Sequence, residues 1–328
     1  PYIVQDLETD KGVTLVKNEN YWNGTPYLDK IYVKTITDGD TMTMAMQSGE
    51  LDAAYGLPYA SLPLFENEPY TISSCETSRS FFAQMNYATE ALQDDDVRAA
   101  IASAIDKENF TSVLMDGNGT AAVGPFPASF TFGDDTVTAE SYDPAKAKEL
   151  LKKAGWTDTD GDGYVDKNGK KLMIRWLTYP SRQELPLLAE SVQATMKDVG
   201  IDIQVNCTAN HQDYLDKGDW DIFAGAFVSA PTGDPEYFFT THCLDSSTKN
   251  RGGYHSDALE ALEKQMSVTF DSTERATLGI QMTQTILDDH AFVFASHLKM
   301  SMVSGKGVSG LVAHPSDYYE ITADLDKE

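Results

Sequence analysis

Between residues 143 and 298 the chain alternates segments whose apolar residues recur at helical spacing with short runs that are apolar almost throughout. A helix buries one stripe and a central strand buries both faces. A chain that alternates the two therefore builds a sheet covered by helices. Asp143 and Pro144 open the helix AKAKELLKKAGW, the aspartate as cap and the proline with its φ already helical, and Gly155 ends it. LMIRWLTY (172–179) reads as a strand. Residues 182–199 form an amphipathic helix carrying Leu185, Leu187, Leu188, Val192 and Met196, and IDIQVN (201–206) is the strand after it. WDIFAGAFV (220–228) is nearly all apolar, as a strand buried on both faces should be. HSDALEALEKQM and TERATLGIQMTQTILDDH are two more helices, and AFVFASHL (291–298) is the last clear strand. The predicted fold class is α/β, with helices on both faces of a sheet.

Upstream, VTLVKN (13–18) and IYVKTI (31–36) read as strands separated by a turn-rich segment. Asp40 is positioned to cap a helix over 41–50 that closes at Gly49, and LDAAYGL (51–57) is a further strand. SFFAQMNYA (80–88) is a strand. Asp94 to Asp96 then cap a helix over 97–115, with Val97, Ile101, Ala104, Ile105 and Phe110 on its apolar face and Arg98 opposite. Pro125 and Pro127 stand too close for regular structure in VGPFPAS. No Pro-, Gly- or Ser-rich linker appears, so two lobes would exchange the chain through ordinary strands.

With 51 acidic against 25 basic residues, net charge −26, a nucleic-acid partner is disfavoured, because phosphate binding needs clustered Lys and Arg. No apolar run reaches the roughly 18 residues a membrane span needs. The opening PYIVQDL has no initiator Met, basic region or apolar core of a signal peptide, which implies a processed or truncated terminus. Cys75, Cys207 and Cys243 match neither a zinc site nor a CxxC motif. The six histidines include no HxxxH pair, and no GxSxG, P-loop or HExxH occurs. Asp158, Asp160, Asp162, Tyr164 and Asp166 follow the first half of a calcium loop, with Gly163 at its sixth position. The twelfth position, where a bidentate Glu belongs, is Gly169, so calcium is at most a weakly held cofactor and an acidic turn is the plainer reading.

Four segments in order resemble the peptide- and nickel-type solute-binding proteins of ABC importers, family 5. They are Asn18, Tyr21, Trp22, Gly24 and Pro26 with the turn Ser48–Asp52; Asn86 with Val97, Arg98 and Ala104–Asp106; AKAKELLKKAGW; and WDIFAGAFVSAPTGDPEYFF with NRGGYHSDALEALE. The resemblance implies a type II periplasmic-binding-protein-like fold of two hinged α/β lobes. Residues 1–79 and 301–328 would belong to one lobe, incomplete because the family's N-terminal third is missing, and 80–300 would form the other. Hinge strands would lie near Arg79–Ala83 and Phe294–Met300. It also implies a non-enzymatic receptor that works with an ABC permease outside the cytoplasmic membrane, as a cell-surface lipoprotein or in the periplasm.

The expected ligand-binding residues are Trp220, the loop of Ser229, Ala230, Pro231, Thr232 and Gly233 after the buried strand, Arg251 and Tyr254. Arg251 would clamp a carboxylate with its planar fork, and Tyr254 would stack on the ligand or donate its hydroxyl. Asp234 reads as a plain helix cap. Oligopeptide binders of the family hold the peptide's amino terminus with an acidic residue in this loop. The position aligned here is near Pro231, which leaves a nickel chelate or an opine-like metallophore beside an oligopeptide. The rival readings are a secreted hydrolase using paired carboxylates and a calcium-dependent adhesion module on Asp158–Asp166.

Overall fold

The computed structural model describes residues 1–328. The chain divides into two compact units, Pro1–Thr77 with Lys299–Glu328, and Ser78–Leu298.

The first unit opens with a three-stranded antiparallel sheet, β1 (Tyr2–Glu8), β2 (Gly12–Lys17) and β3 (Lys30–Lys34). The sequence reading had no strand at β1. Its pairing to β2 shifts register between Val4 and Asp6, and such an irregularity erases the alternation by which a strand is recognised. α1 (Gly39–Gln47) starts earlier than expected. Its cap is Asp38, not Asp40, because the Asp38 carboxylate accepts from the Thr41 amide at 2.8 Å and Asp40 falls in the first turn. β4 (Ala53–Tyr55) follows, and Met46, Leu57, Phe65 and Val303 form the core of this unit.

β5 (Thr71–Met85) is fifteen residues long, against an expected start at residue 80. Its Ser- and Thr-rich first half lacks an apolar stripe and so carried no strand signal. In the second unit, α2 (Asp95–Ser103), the single turn α3 (Lys107–Asn109) and a π-turn at Phe110–Leu114 replace the one helix expected over 97–115. The break comes at Asp106, whose side chain accepts from the Asn109 amide at 3.0 Å and so starts a new turn. Arg98 is not on a solvent face. It is 7 % exposed, donates to the Leu92 and Asp289 carbonyls and to Asp95, and lies under the Tyr87 ring at 4.8 Å.

β6 (Gly119–Ala121), α4 (Pro144–Lys153), the short ribbon β7 (Asp166–Lys167) and β8 (Lys170–Lys171), and β9 (Met173–Thr178) follow. The chain continues through α5 (Glu184–Asp198), β10 (Asp202–Cys207), α6 (His211–Lys217), β11 (Ile222–Val228), α7 (Glu236–His242), α8 (Asp257–Met266), α9 (Ser272–Asp288) and β12 (Phe292–Ser304). In the first unit it closes with β13 (Val308–Ser309) paired to β14 (Asp326–Lys327).

The sheet of the second unit runs β10–β9–β11–β5–β12, with β6 on β12. β9 is parallel to both β10 and β11, whereas β11 and β5 are antiparallel. β11 is buried along almost its whole length, as its apolar run demands. Its approach is fixed by Asp221, 5 % exposed, which accepts from the Arg175 amide and guanidinium and from Thr89 at 2.7–3.0 Å. The result that matters for function is geometric. Three parallel strands end at one edge, at Thr178, Cys207 and Val228, and each leads through a short loop into a helix.

Candidate ligand-binding site

The carboxyl edge of parallel strands is where an α/β sheet offers loops and free backbone groups to a ligand. Tyr179 follows β9 directly. Its hydroxyl accepts from the Ala226 amide at 3.1 Å, and its ring stacks on His211 at 4.5 Å. His211 opens α6, and its imidazole also lies parallel to Phe223 of β11, 5.9 Å away. Burial raises the Tyr179 phenol above its ordinary value, against an opposing pull from the Arg182 and Arg79 charges. Farther along β11, Phe227 packs edge-on against His242, 4.5 Å between centroids, and His242 in turn stacks on Phe238. Gly225 stands between the two phenylalanines of β11, and a Cβ there would press on both rings at 3.2–3.4 Å.

The segment after α7 supplies the polar half. The Lys249 ammonium lies 4.2 Å from the centre of the Phe227 ring, and the Lys249 carbonyl accepts from the Gln84 side chain at 3.1 Å. Arg251 donates from Nη1 to the Gln212 side-chain oxygen at 3.1 Å, which ties it to the start of α6. The backbone here passes so close to β5 that a Cβ on Gly252 would sit 1.9 Å from the Met85 carbonyl oxygen, so only glycine fits. Burial, followed by the neighbouring Arg251 charge, lowers the Lys249 pKa. Burial and then the Lys249 charge push His242 down to about 3, with a weaker contribution from Arg251.

The residues expected from sequence divide between this wall and the core beneath it. Trp220 is a correction. It is 1 % exposed and packs on Leu177, Leu215 and Phe223, because it precedes β11 at the end of the strand remote from the loop. Tyr254 is another. At 2 % exposure it belongs to the core around Phe292, and its hydroxyl is taken by Asp289 Oδ2 at 2.5 Å. Ser229 and Ala230 are buried, with the Ser229 amide and hydroxyl both donating to the Ser78 carbonyl at 2.8 and 2.9 Å. The loop then turns outward. Gly233 closes a turn on the Ala230 carbonyl with φ +78°, leaving Thr232 and Gly233 exposed and Pro231 half-buried. Asp234 stands one residue before Pro235, the N-cap of α7; it accepts from the Glu236 amide at 2.9 Å, and its carboxylate is held by Arg275 at 2.7 Å.

Sequence reasoning passed over Tyr179, His211, Gln212 and Phe227. The signal was available for two of them: Tyr179 is the last residue of one predicted strand and His211 lies in the segment after another, where the rule for parallel sheets places ligand contacts.

The acidic turn is separate from this wall. Asp158, Asp160 and Asp166 bring carboxylate oxygens within 4.8 Å of one another. Asp162 is drawn off by Lys171 at 2.6 Å, whose ammonium also covers the Tyr164 ring at 4.2 Å. The Asp158 carboxylate is occupied with the Gly161 and Gly163 amides.

Comparison with known proteins gives a consistent result. The family described as bacterial extracellular solute-binding proteins, family 5 Middle, matches residues 1–250. The oligopeptide-binding protein AppA of Bacillus subtilis is 26% identical over 332 residues, covering 98% of this chain and 60% of its own length. The nickel-binding periplasmic protein of Escherichia coli is 26% identical over 314 residues, covering 93% of this chain and 60% of its own length. The chain thus spans about 60% of the length of these curated relatives. Among solved structures, NikA of Staphylococcus aureus in complex with Ni(L-His)2 matches with TM-score 0.86 at 23% identity, over 100% of this chain and 68% of that one. AppA of Bacillus subtilis in complex with a nonapeptide matches with TM-score 0.85 at 22% identity, over 100% and 66%. The fold is that of the type II periplasmic binding proteins.

Proposed function

Because the chain belongs to the bacterial extracellular solute-binding proteins of family 5, we propose that the full-length protein captures a small solute outside the cytoplasmic membrane and delivers it to the permease of an ABC importer. The observation that carries the reading onto this chain is the wall of Tyr179, His211, Phe227, Lys249 and Arg251. It stands beside the edge where β9, β10 and β11 all end, and three of its five side chains are aromatic. Such a wall offers flat apolar area and a few directed polar groups, which suits reversible capture of a small molecule without chemistry. Solutes consistent with the named relatives are an oligopeptide or a nickel chelate, and an opine-like metallophore stands beside them from the sequence reading. Residues 1–79 with 301–328, and 80–300, are proposed as the two lobes. β5 and β12 carry the chain from one unit to the other, at Thr77–Ser78 and Leu298–Lys299, and are the segments proposed to flex. A periplasmic or lipid-anchored location outside the membrane belongs to the same proposal.

The test is direct. The full-length protein, purified from its own host without denaturation, is examined by native mass spectrometry, and the released solute is identified. A stoichiometric small molecule is expected. A protein that carries none, and that binds no peptide, nickel–histidine complex or opine in calorimetry, would sink the transport reading.

A further inference from the structure

Basic residues in this chain are outnumbered two to one, 25 against 51, and several of them are paired with a carboxylate. Lys17, Lys34, Lys153, Arg175 and Arg275 each hold a carboxylate within 3 Å. Lys249 and Arg251 hold no carboxylate directly. The Lys249 ammonium faces the Phe227 ring, and the Arg251 guanidinium bonds a neutral amide, Gln212. The two cations stand close enough that the charge of one disfavours that of the other, and both are only partly exposed. Removing a cation from water beside a like charge is unfavourable unless an anion offsets it. His242 behind Phe227 is buried and uncharged, and the Gln212 amide that bonds Arg251 donates its other end to the Asp216 carboxylate at 2.5 Å, so that carboxylate reaches Arg251 only through the amide. The aromatic stack of Tyr179, His211 and Phe223 continues from Gln212 through the adjoining His211.

We propose that Lys249 and Arg251 form the receptor for an anionic group of the solute, a carboxylate or its equivalent, while the neighbouring aromatic rings take the flat or apolar body of the same molecule. This rests on the solute-receptor reading and narrows it. The solute presents negative charge to this wall, the reverse of a ligand held here by a protonated amine. Arg251 supplies a planar pair of donors suited to a carboxylate, and Lys249 a point charge stiffened by its contact with Phe227.

Two probes with one aromatic body separate charge from apolar affinity. These are 8-anilinonaphthalene-1-sulfonate, which is anionic, and N-phenyl-1-naphthylamine, which is neutral. Each is titrated by fluorescence into the full-length protein and into the Lys249→Gln/Arg251→Gln variant. The double substitution is expected to weaken the sulfonate probe about tenfold or more, the loss of charged hydrogen bonds, and to leave the neutral probe within about twofold. An unchanged sulfonate affinity, or an equal fall for both probes, overturns the assignment. If the double variant melts several degrees below the parent, Arg251→Gln alone carries the same comparison at a partly exposed position. The solute released from the parent protein keeps the two readings apart. An anionic solute, lost from the variant, supports both. A neutral or cationic one overturns the anion receptor and leaves solute capture standing. Absence of any solute together with the charge-selective probe response counts against transport alone.

Discussion

His242 shows how far a single side chain depends on its surroundings. It is 3 % exposed among Phe82, Phe227 and Phe238, and burial together with the Lys249 charge moves its pKa from 6.5 to about 3. The unfolded chain therefore binds a proton that the native chain refuses over the window between those values. Since the folded pKa lies below the unfolded one, the stability at issue is intact above pH 6.5 and falls as pH drops toward 3. His242→Phe, which keeps the aromatic packing and removes the titrating group, should flatten this acid limb. Denaturant melts between pH 7 and 4 should show the variant gaining on the parent by up to about 1.4 kcal/mol per pH unit below the unfolded pKa. Parallel stability curves for the two proteins would contradict this. Asp234 and Arg98 teach a related lesson. Both are charged residues consumed by structure, the first by Arg275 and a helix amide, the second by the carbonyls of Leu92 and Asp289.

At the scale of elements, β11 is the member on which the second unit depends. It lies between β9 and β5, and its Ile222 is fully buried opposite Trp176 and Met85. Ile222→Asp would place a carboxylate there with no partner and should destabilise the unit by more than about 4 kcal/mol, enough to unfold it. A variant melting within a degree or two of the parent would show that the strand does not hold the unit together. The turn at Asp158–Asp166 has the opposite character. It is exposed, its carboxylates are engaged with backbone amides and Lys171, and the twelfth position of the loop is Gly169. Calorimetric titration should give a calcium affinity no better than sub-millimolar. A Kd near or below about 1 μM, in the sensor range, would require a ligand set this turn does not possess.

At the scale of the molecule, the second unit is one continuous stretch of chain, Ser78–Leu298, whereas the first is assembled from both ends. The second unit holds its own core around Phe82, Phe238, Phe239, Met282 and Phe292. Expressed alone, Ser78–Leu298 should fold and melt in a single cooperative transition by circular dichroism. A broad, non-cooperative loss of signal would show that its core is not self-sufficient. Most of the order of elements in this unit was legible in the sequence, although α6 was passed over and 97–115 was read as one helix. The Asp143–Pro144 helix start, the apolar run of β11 and the amphipathic stripe of α5 are local signals, each read from residues a turn or a pleat apart. β1 and the first half of β5 were not legible. A register shift or a Ser- and Thr-rich stretch leaves no period to detect, and the first half of β5 is held by β12, more than 200 residues away, through contacts such as Ser74–Ser301. The candidate site was legible only in part. The loop after β11 could be named because it follows a buried strand, and Arg251 because its segment joins a basic pair to glycines and an aromatic. That Trp220 and Tyr254 lie in the core, and that Tyr179, His211, Lys249 and Arg251 share one wall, depends on contacts such as Arg251–Gln212, across 39 residues of chain. Local periodicity determines which segments become helices and strands. Only the closing of the sheet decides which of their polar and aromatic side chains meet, because that meeting is set by strand order and register, which no single segment encodes.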